Sequence, residues 1–336
     1  MASDWALTNK KVTVLTTYSE EKVNCDFFQI SSKVKRIRLS QVCKERNVKG
    51  TFQRFLLFRK IVLSEKPDTL ISFMSHINVL TLIALLGTRI PIVVIENSDP
   101  FLEPLGKIIS WLRPFVYRRA KAVCIHTAEA ARKIEHKWKL SKVHTIPIPL
   151  LKDIPTPNSW ENRENVVLSV GRLSWEKGHD VLISAWALVG KKTSNWKLKI
   201  VGEGPDREKY EKQISELGLK DTVKLVGKIS PIWPSYQEAK IFVMPSRFEG
   251  YGMALLEAML MGCACIASES EGPKSIITNG VNGILVEVEN PEALATELEC
   301  LLQDDEKSSK LSEHGMLLRN ENEENDYLQK WDKIIS

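Results

Sequence analysis

The sequence predicts two α/β domains, each a doubly wound parallel sheet, with a cleft between them. Three observations carry this. Short β-type runs alternate with helical stretches, the pattern of a parallel sheet covered on both faces. Four prolines, Pro147, Pro149, Pro155 and Pro157, cluster near the middle of the chain, where no helix can run. A length of 336 residues gives about two domains of ordinary size. Hydrophobic residues make up 43% and charged residues 26%, the balance of a folded chain rather than a disordered one.

In the first half, "KKVTVLTTY", "DTLISFM", "PIVVIEN" and "AKAVCIHT" predict strands, and Gly50 to Lys66 predicts an amphipathic helix. Ile77 to Gly87 is apolar but shorter than the ~18 residues of a membrane span, and reads as a buried helix. In the second half, strands are expected at Val166–Val170, Lys197–Val201, Val223–Gly227, Ile241–Pro245, Ala264–Ser268 and Gly283–Val288. Helices are expected at Asp180–Val189, Asp206–Leu217, Pro234–Ala239, Met253–Met261 and Lys274–Thr278. The boundaries follow: a first domain over 1–152, a second over 153–320, and a helix over 321–336 that crosses back to the first domain.

The charge is unevenly spread. Residues 1–150 hold 25 Lys and Arg against 12 Asp and Glu, a net +13; the rest holds 22 against 30, a net −8. A basic half of this kind expects an anionic partner. The six cysteines, Cys25, Cys43, Cys124, Cys263, Cys265 and Cys300, show no metal-like spacing and no dense framework, so a reducing compartment is expected. Cys263 and Cys265 read as core residues. "MASDWALTNKK" lacks the apolar core of a secretory leader.

The chemistry concentrates in "IFVMPSRFEGYGMALLEAM", a strand, a loop and a helix. Gly250 and Gly252 let the backbone approach a ligand. The helix mouth that follows favours an anion. Glu257 lies about five residues into the helix, roughly 7.5 Å further along at 1.5 Å per residue. A phosphate at the mouth therefore places a ribose near Glu257, whose carboxylate accepts from two adjacent hydroxyls. Glu249 sits before the helix, where a transferred sugar would lie. A second loop, "VGRLSWEKGHD", offers Arg172 and Lys177 between Gly171 and Gly178, two cations suited to a diphosphate. A third, "VGEGPD", adds Gly202 and Gly204.

These phrases, with "LKIVGEGPDREKYEKQISELGLKDTVKLVGKI" and "GVNGILV", resemble the retaining glycosyltransferases of family 4, whose fold is GT-B: two Rossmann-like doubly wound domains facing a cleft. The resemblance implies that Glu257 holds the nucleotide ribose and that Glu249 contacts the transferred sugar. It implies that Arg172 and Lys177 hold the diphosphate, and that Gly250, Tyr251, Gly252 and Met253, with Gly171 and Gly204, line the nucleotide site. It implies a nucleotide-sugar donor, expected to be a UDP-hexose, with no cofactor and no metal. The first half is similar to the members that build bacterial surface polysaccharides and lipid-linked oligosaccharides, through "DTLISFMSHINVL", "IPIVVIENSDP", "RPFVYRRAKAVCIHTAEAA" and "TIPIPL". Departures fall at Ile95 to Ser98, at Ile148-Pro149, and at Ser275, where that group commonly has Glu. Similar enzymes also begin with a strand, a Gly-rich loop and a helix. "MASDWALTN" matches the tail of that helix, so about 25 to 30 residues of a strand–helix–strand unit are expected to be absent and the first domain incomplete at its start, either because the start is misplaced or because the chain is a truncated relative.

Between Lys107 and Lys142, basic residues alternate with Trp111, Phe115, Tyr117 and Trp138, which predicts a patch that docks the inner face of the cytoplasmic membrane near a lipid-linked or glycan acceptor. No nucleic-acid motif accompanies the charge. His76 and Glu96 each follow a strand and are expected on the acceptor side. The expected function is hexose transfer from a nucleotide sugar to a lipid-linked or polysaccharide acceptor. The alternatives are a non-catalytic scaffold that keeps the nucleotide domain, and a nucleotide-sugar epimerase.

Overall fold

The computed structural model describes residues 1–8, 10–17, 30–97, 100–102, 105–146, 154–190, 195–319 and 324–336. Cys25, Ser98, Pro147, Ile148, Pro149 and the expected boundary at residue 152 lie outside the described residues.

The first half runs α1 (Ala2–Leu7), β1 (Thr13–Thr16), β2 (Lys35–Arg38), α2 (Leu39–Glu45), α3 (Thr51–Glu65), β3 (Leu70–Phe73), α4 (Ser75–Ala84), β4 (Ile92–Glu96), α5 (Lys107–Tyr117), β5 (Ala122–Ile125), α6 (Ala128–Trp138) and β6 (Val143–Thr145). Strands β3-β4-β5-β6 form one parallel sheet, and β1-β2 a separate parallel pair. Strands β4 and β5 are buried along their whole length, which matches their continuous apolar runs. Leu15 of β1 and Leu70 of β3 pack against the same apolar cluster, although the two strands are not hydrogen-bonded to each other.

The second half runs β7 (Glu164–Val170), α7 (His179–Val189), β8 (Lys197–Val201), α8 (Arg207–Glu216), β9 (Val223–Gly227), α9 (Trp233–Glu238), β10 (Ala239–Met244), α10 (Met253–Leu260), β11 (Ala264–Ser268), α11 (Glu271–Lys274), β12 (Ile284–Val286), α12 (Pro291–Gln303), α13 (Asp305–Met316) and α14 (Glu324–Ile335). Its six parallel strands are ordered β12-β11-β10-β7-β8-β9. The chain starts at β7, winds outward to β9, then returns to pair β10 on the other side of β7. The winding reverses between β7 and β10, so the loops after these two strands open into one crevice at the carboxyl edge.

Apolar side chains fill both faces of the larger sheet. Trp186, Leu198, Ile200 and Leu298 are buried on one, and Phe242, Leu255, Met259 and Cys265 on the other. Helix α14 packs on the smaller sheet: Trp331 is buried with Val93, Ile95, Ala122 and Cys124, and meets Trp5 edge-on at 6.0 Å between rings.

One expected helix is displaced. Lys274 to Thr278 do not continue as a helix; α11 covers Glu271–Lys274 instead. Pro273 falls in the first turn, where its missing N–H costs nothing. Beyond it, the Asn282 side chain takes over the backbone, accepting from Thr278 N at 2.8 Å and donating to the Ile276 carbonyl at 3.2 Å.

Candidate active site

Three loops meet at the crevice, and their glycines set how closely. At Gly202 a side chain would begin 1.8 Å from the Gly171 carbonyl oxygen, and at Gly204 one would begin 2.2 Å from that of Leu173. The "VGEGPD" loop therefore stacks directly on the "VGRLS" loop, and Leu173 N donates to the Glu203 carbonyl at 3.1 Å. Gly178 has φ +65, and a side chain there would begin 2.0 Å from the Pro245 carbonyl oxygen. This contact brings the loop after β7 against the loop after β10. Arg247 fastens the two: its N–H donates to the Glu176 carbonyl at 2.9 Å, and its guanidinium holds Asp180 at 2.9 and 3.0 Å and Glu289 at 2.6 Å.

The consequence is an ion pair inside the crevice. Lys177 Nζ lies 2.5 Å from Glu249 Oε2, and Ser246 Oγ donates to the same oxygen at 3.4 Å. Arg172 stands exposed on the same loop with no ion pair to any described residue. Gly252 has φ +97 and immediately precedes α10, a backbone turn that only glycine adopts without strain. The Met253 end of α10 thus faces the crevice with its first N–H groups unpaired within the helix. Glu257, one turn in, accepts from Tyr236 Oη at 2.9 Å. Burial raises its carboxyl above the usual carboxylate value, opposed by the Tyr236 hydrogen bond. Gly250 and Tyr251 lie between Glu249 and Gly252, and the Gly272 N–H pins the Glu249 carbonyl at 3.1 Å.

The crevice thus collects two cations, a helix mouth and two carboxylates, a set that suits a sugar joined to a diphosphate. Residues 152–317 match the protein family described as glycosyl transferases group 1. Over 316 residues the chain is 27% identical to the GalNAc-alpha-(1->4)-GalNAc-alpha-(1->3)-diNAcBac-PP-undecaprenol alpha-1,4-N-acetyl-D-galactosaminyltransferase of Campylobacter jejuni, covering 92% of this chain and 87% of that one. It is 24% identical over 300 residues to the amylovoran biosynthesis glycosyltransferase AmsD of Erwinia amylovora, covering 87% of this chain and 84% of that one. The crystal structure of Anabaena Alr3699/HepE in complex with UDP and glucose superposes with a TM-score of 0.77 at 18% identity, covering 90% of this chain and 86% of that one.

The protein is a glycosyltransferase of the GT-B fold.

In the first half of this glycosyltransferase, His76 sits half-buried in the first turn of α4. Glu96 is not on the crevice surface. It is 0% exposed, and its carboxylate is held by Arg113, by Tyr117 and, at 2.8 Å, by Ser75 Oγ. The strand end that made Glu96 look available instead turns it inward onto α5. Arg113, Tyr117 and Trp138 are likewise interior residues and not members of an exposed patch.

Two histidines of the glycosyltransferase were not legible as site residues. His126 directly follows β5, with Nδ1 at 3.0 Å from the Ile146 carbonyl and its ring 6.2 Å from Tyr251 of the opposing loop. Burial lowers its pKa. His179, which opens α7 behind Lys177, is 1% exposed; burial, then the Lys177 charge, lower its pKa to about 4. The ring is neutral near pH 7 and adds no charge beside Lys177.

Proposed function

We propose that this glycosyltransferase is a retaining enzyme of family 4 that moves a hexose from a UDP-sugar to a lipid-linked or polysaccharide acceptor. The observation that carries the reading is the Lys177–Glu249 pair, set beside the mouth of α10 with Glu257 one turn along. Arg172, Lys177 and the helix mouth face the diphosphate and stabilise the charge that grows as it leaves. These positive groups do the work a metal ion would do, so the reading needs none. Glu257 takes the ribose hydroxyls, and Glu249, released from Lys177 when the phosphates arrive, takes a hydroxyl of the sugar. The bond between the anomeric carbon and the diphosphate oxygen breaks. The acceptor oxygen bonds to that carbon on the same face, and its proton passes to the departing phosphate. The names of the relatives, an undecaprenol-linked acceptor in one and amylovoran biosynthesis in the other, support the acceptor class.

The reading includes a place, the inner face of the cytoplasmic membrane. Ile108, Trp111 and Phe115 are 74%, 66% and 52% exposed on one face of α5, within the half of net charge +13. Among the described residues, no helix is long and apolar enough to cross a membrane.

UDP release from four UDP-hexoses, with and without a membrane extract as acceptor, tests the donor, and the anomeric configuration of the product tests retention. Release stimulated by the extract is expected. An inverted product, or failure to bind UDP, would overturn the reading.

A further inference from the structure

Glu257 is held from behind by a side chain that reaches no solvent. Tyr236 of α9 is 0% exposed, and its Oη donates to Glu257 Oε2 at 2.9 Å. The tyrosine is fixed at both ends. Its ring packs on Trp233 at 6.2 Å and on Phe242 at 5.9 Å between centres. Its carbonyl accepts from the buried Arg163 guanidinium at 3.0 Å, and the same nitrogen reaches the Ala239 carbonyl at 2.8 Å, where α9 passes into β10. The hydroxyl is therefore aimed at Glu257 by the core of the second half.

The two oxygens of Glu257 differ in consequence. Oε2 is taken by Tyr236. Glu257 is half-buried, and its Oε1 has no hydrogen bond to any described residue yet is not closed to water. Left to itself, the carboxylate of a Glu side chain swings broadly about its last torsion. A donor anchored in the core removes that freedom before any ligand arrives, and a group set in place in advance binds more tightly because less order is lost on binding. The hydrogen bond also favours the ionised carboxyl against burial, and the ionised form only accepts. An acceptor that is oriented, charged and open on one oxygen suits two neighbouring hydroxyls.

We infer that Tyr236 is a positioning residue of the nucleotide site: it holds Glu257 turned toward the 2′- and 3′-hydroxyls of a nucleoside diphosphate, and so sets the preference for a ribose over a sugar that lacks them. This rests on the assignment of Glu257 to the ribose made above. Tyr236 itself touches no ligand and acts only through the carboxylate.

The test measures calorimetric binding of UDP and of 2′,3′-dideoxy-UDP to wild type, Tyr236→Phe, Glu257→Ala and the double variant. Phe keeps the ring on Trp233 and Phe242 and removes only Oη. In Tyr236→Phe, UDP affinity is expected to fall about fivefold, within the effect of a hydrogen bond to a charged group, while dideoxy-UDP affinity changes by less than about twofold. The ratio between the two ligands therefore drops. A general loosening of the site would weaken both alike, and a smaller folded fraction divides out of the ratio. With Glu257 already removed, losing Oη should change UDP affinity by less than about twofold. An unchanged ratio in Tyr236→Phe would overturn the inference, as would a full further loss in the Glu257→Ala background. A wild type that binds neither nucleotide, or a Glu257→Ala variant that binds UDP as tightly as wild type, would overturn the ribose assignment itself.

Discussion

Lys177 Nζ and Glu249 Oε2 meet at 2.5 Å across the point where the larger sheet reverses its winding. The two residues are far apart in sequence and are joined because Gly178 lets one loop touch the backbone of the other. On the proposed function, phosphate oxygens of the donor compete with the carboxylate for this lysine. Lys177→Ala should lower kcat by about 10²–10³, the usual loss for one preorganised charge contact, with little change in melting temperature. Glu249→Gln should lower kcat similarly, and the double variant should fall well short of the product of the two, because they act as a unit. Steady-state UDP release checks both. An additive double variant would mean that the pair works independently.

Glu257 should govern nucleotide affinity rather than turnover. Glu257→Ala should weaken UDP binding about tenfold or more, the worth of hydrogen bonds to a charged group. Its carboxyl is raised by burial, and only the ionised form accepts from both ribose hydroxyls. UDP affinity in wild type should therefore decline on acidification earlier than an ordinary carboxylate would dictate. In Glu257→Gln that part of the pH dependence should disappear. Calorimetric titration with UDP at several pH values measures this, and an identical pH profile in the variant would refute it.

Gly178→Ala tests the geometry that makes the site. The φ of +65 costs a residue with a side chain about 1–2 kcal/mol, and the new carbon would begin 2.0 Å from the Pro245 carbonyl oxygen. The two loops must separate, which moves Lys177 away from Glu249. The expected result is a lower melting temperature together with a loss of UDP release larger than the stability loss alone explains. A variant that melts lower but keeps full turnover would show that the loop contact supports the fold and not the chemistry.

His179 gives a pH effect with a defined sign. Its pKa is about 4 in the folded protein, against about 6.5 unfolded. Folding favours the neutral ring, so its contribution is fully present above pH 6.5 and is lost as pH falls toward 4. At pH 5 the loss is roughly 2 kcal/mol. Urea unfolding of wild type and His179→Gln at pH 7.5 and pH 5 isolates it: the gap between the two proteins should shrink at the lower pH. A constant gap would place the ring in solvent.

Most of the larger sheet was legible because its strands are buried on both faces and therefore apolar without a break, as in "IFVM" and "ACIAS". The crevice was legible for a related reason: glycines, cations and carboxylates stood at strand ends, where topology delivers ligands. Glu96 shows the limit. It too stands at a strand end, but its partners Arg113, Tyr117 and Ser75 lie 17, 21 and 21 residues away on helices, and nothing local reveals that they converge. His126 was missed for the same reason, because only the packing of one half against the other brings it to Tyr251.

The face of α5 sets the last prediction. Ile108, Trp111 and Phe115 follow one another at spacings of three and four, so they share one side of the helix, while Arg113 and Tyr117 point inward. Arg118 lies over the Phe115 ring at 5.6 Å, and Lys107 stands exposed at the other end of the helix. An apolar stripe bordered by cations is what an anionic leaflet binds, the rings entering the boundary and the cations meeting the headgroups. Each fully buried side chain contributes up to about 1.5–3 kcal/mol, and each basic residue near the surface about 1 kcal/mol. Trp111→Glu with Phe115→Glu should therefore reduce sedimentation with phosphatidylglycerol vesicles about a hundredfold. Wild-type binding should be weaker on phosphatidylcholine vesicles and should fall as salt rises. Both substitutions are at exposed positions, so UDP release without an acceptor should be retained. Equal binding of wild type and variant to anionic vesicles would move the membrane contact to another face of the basic half.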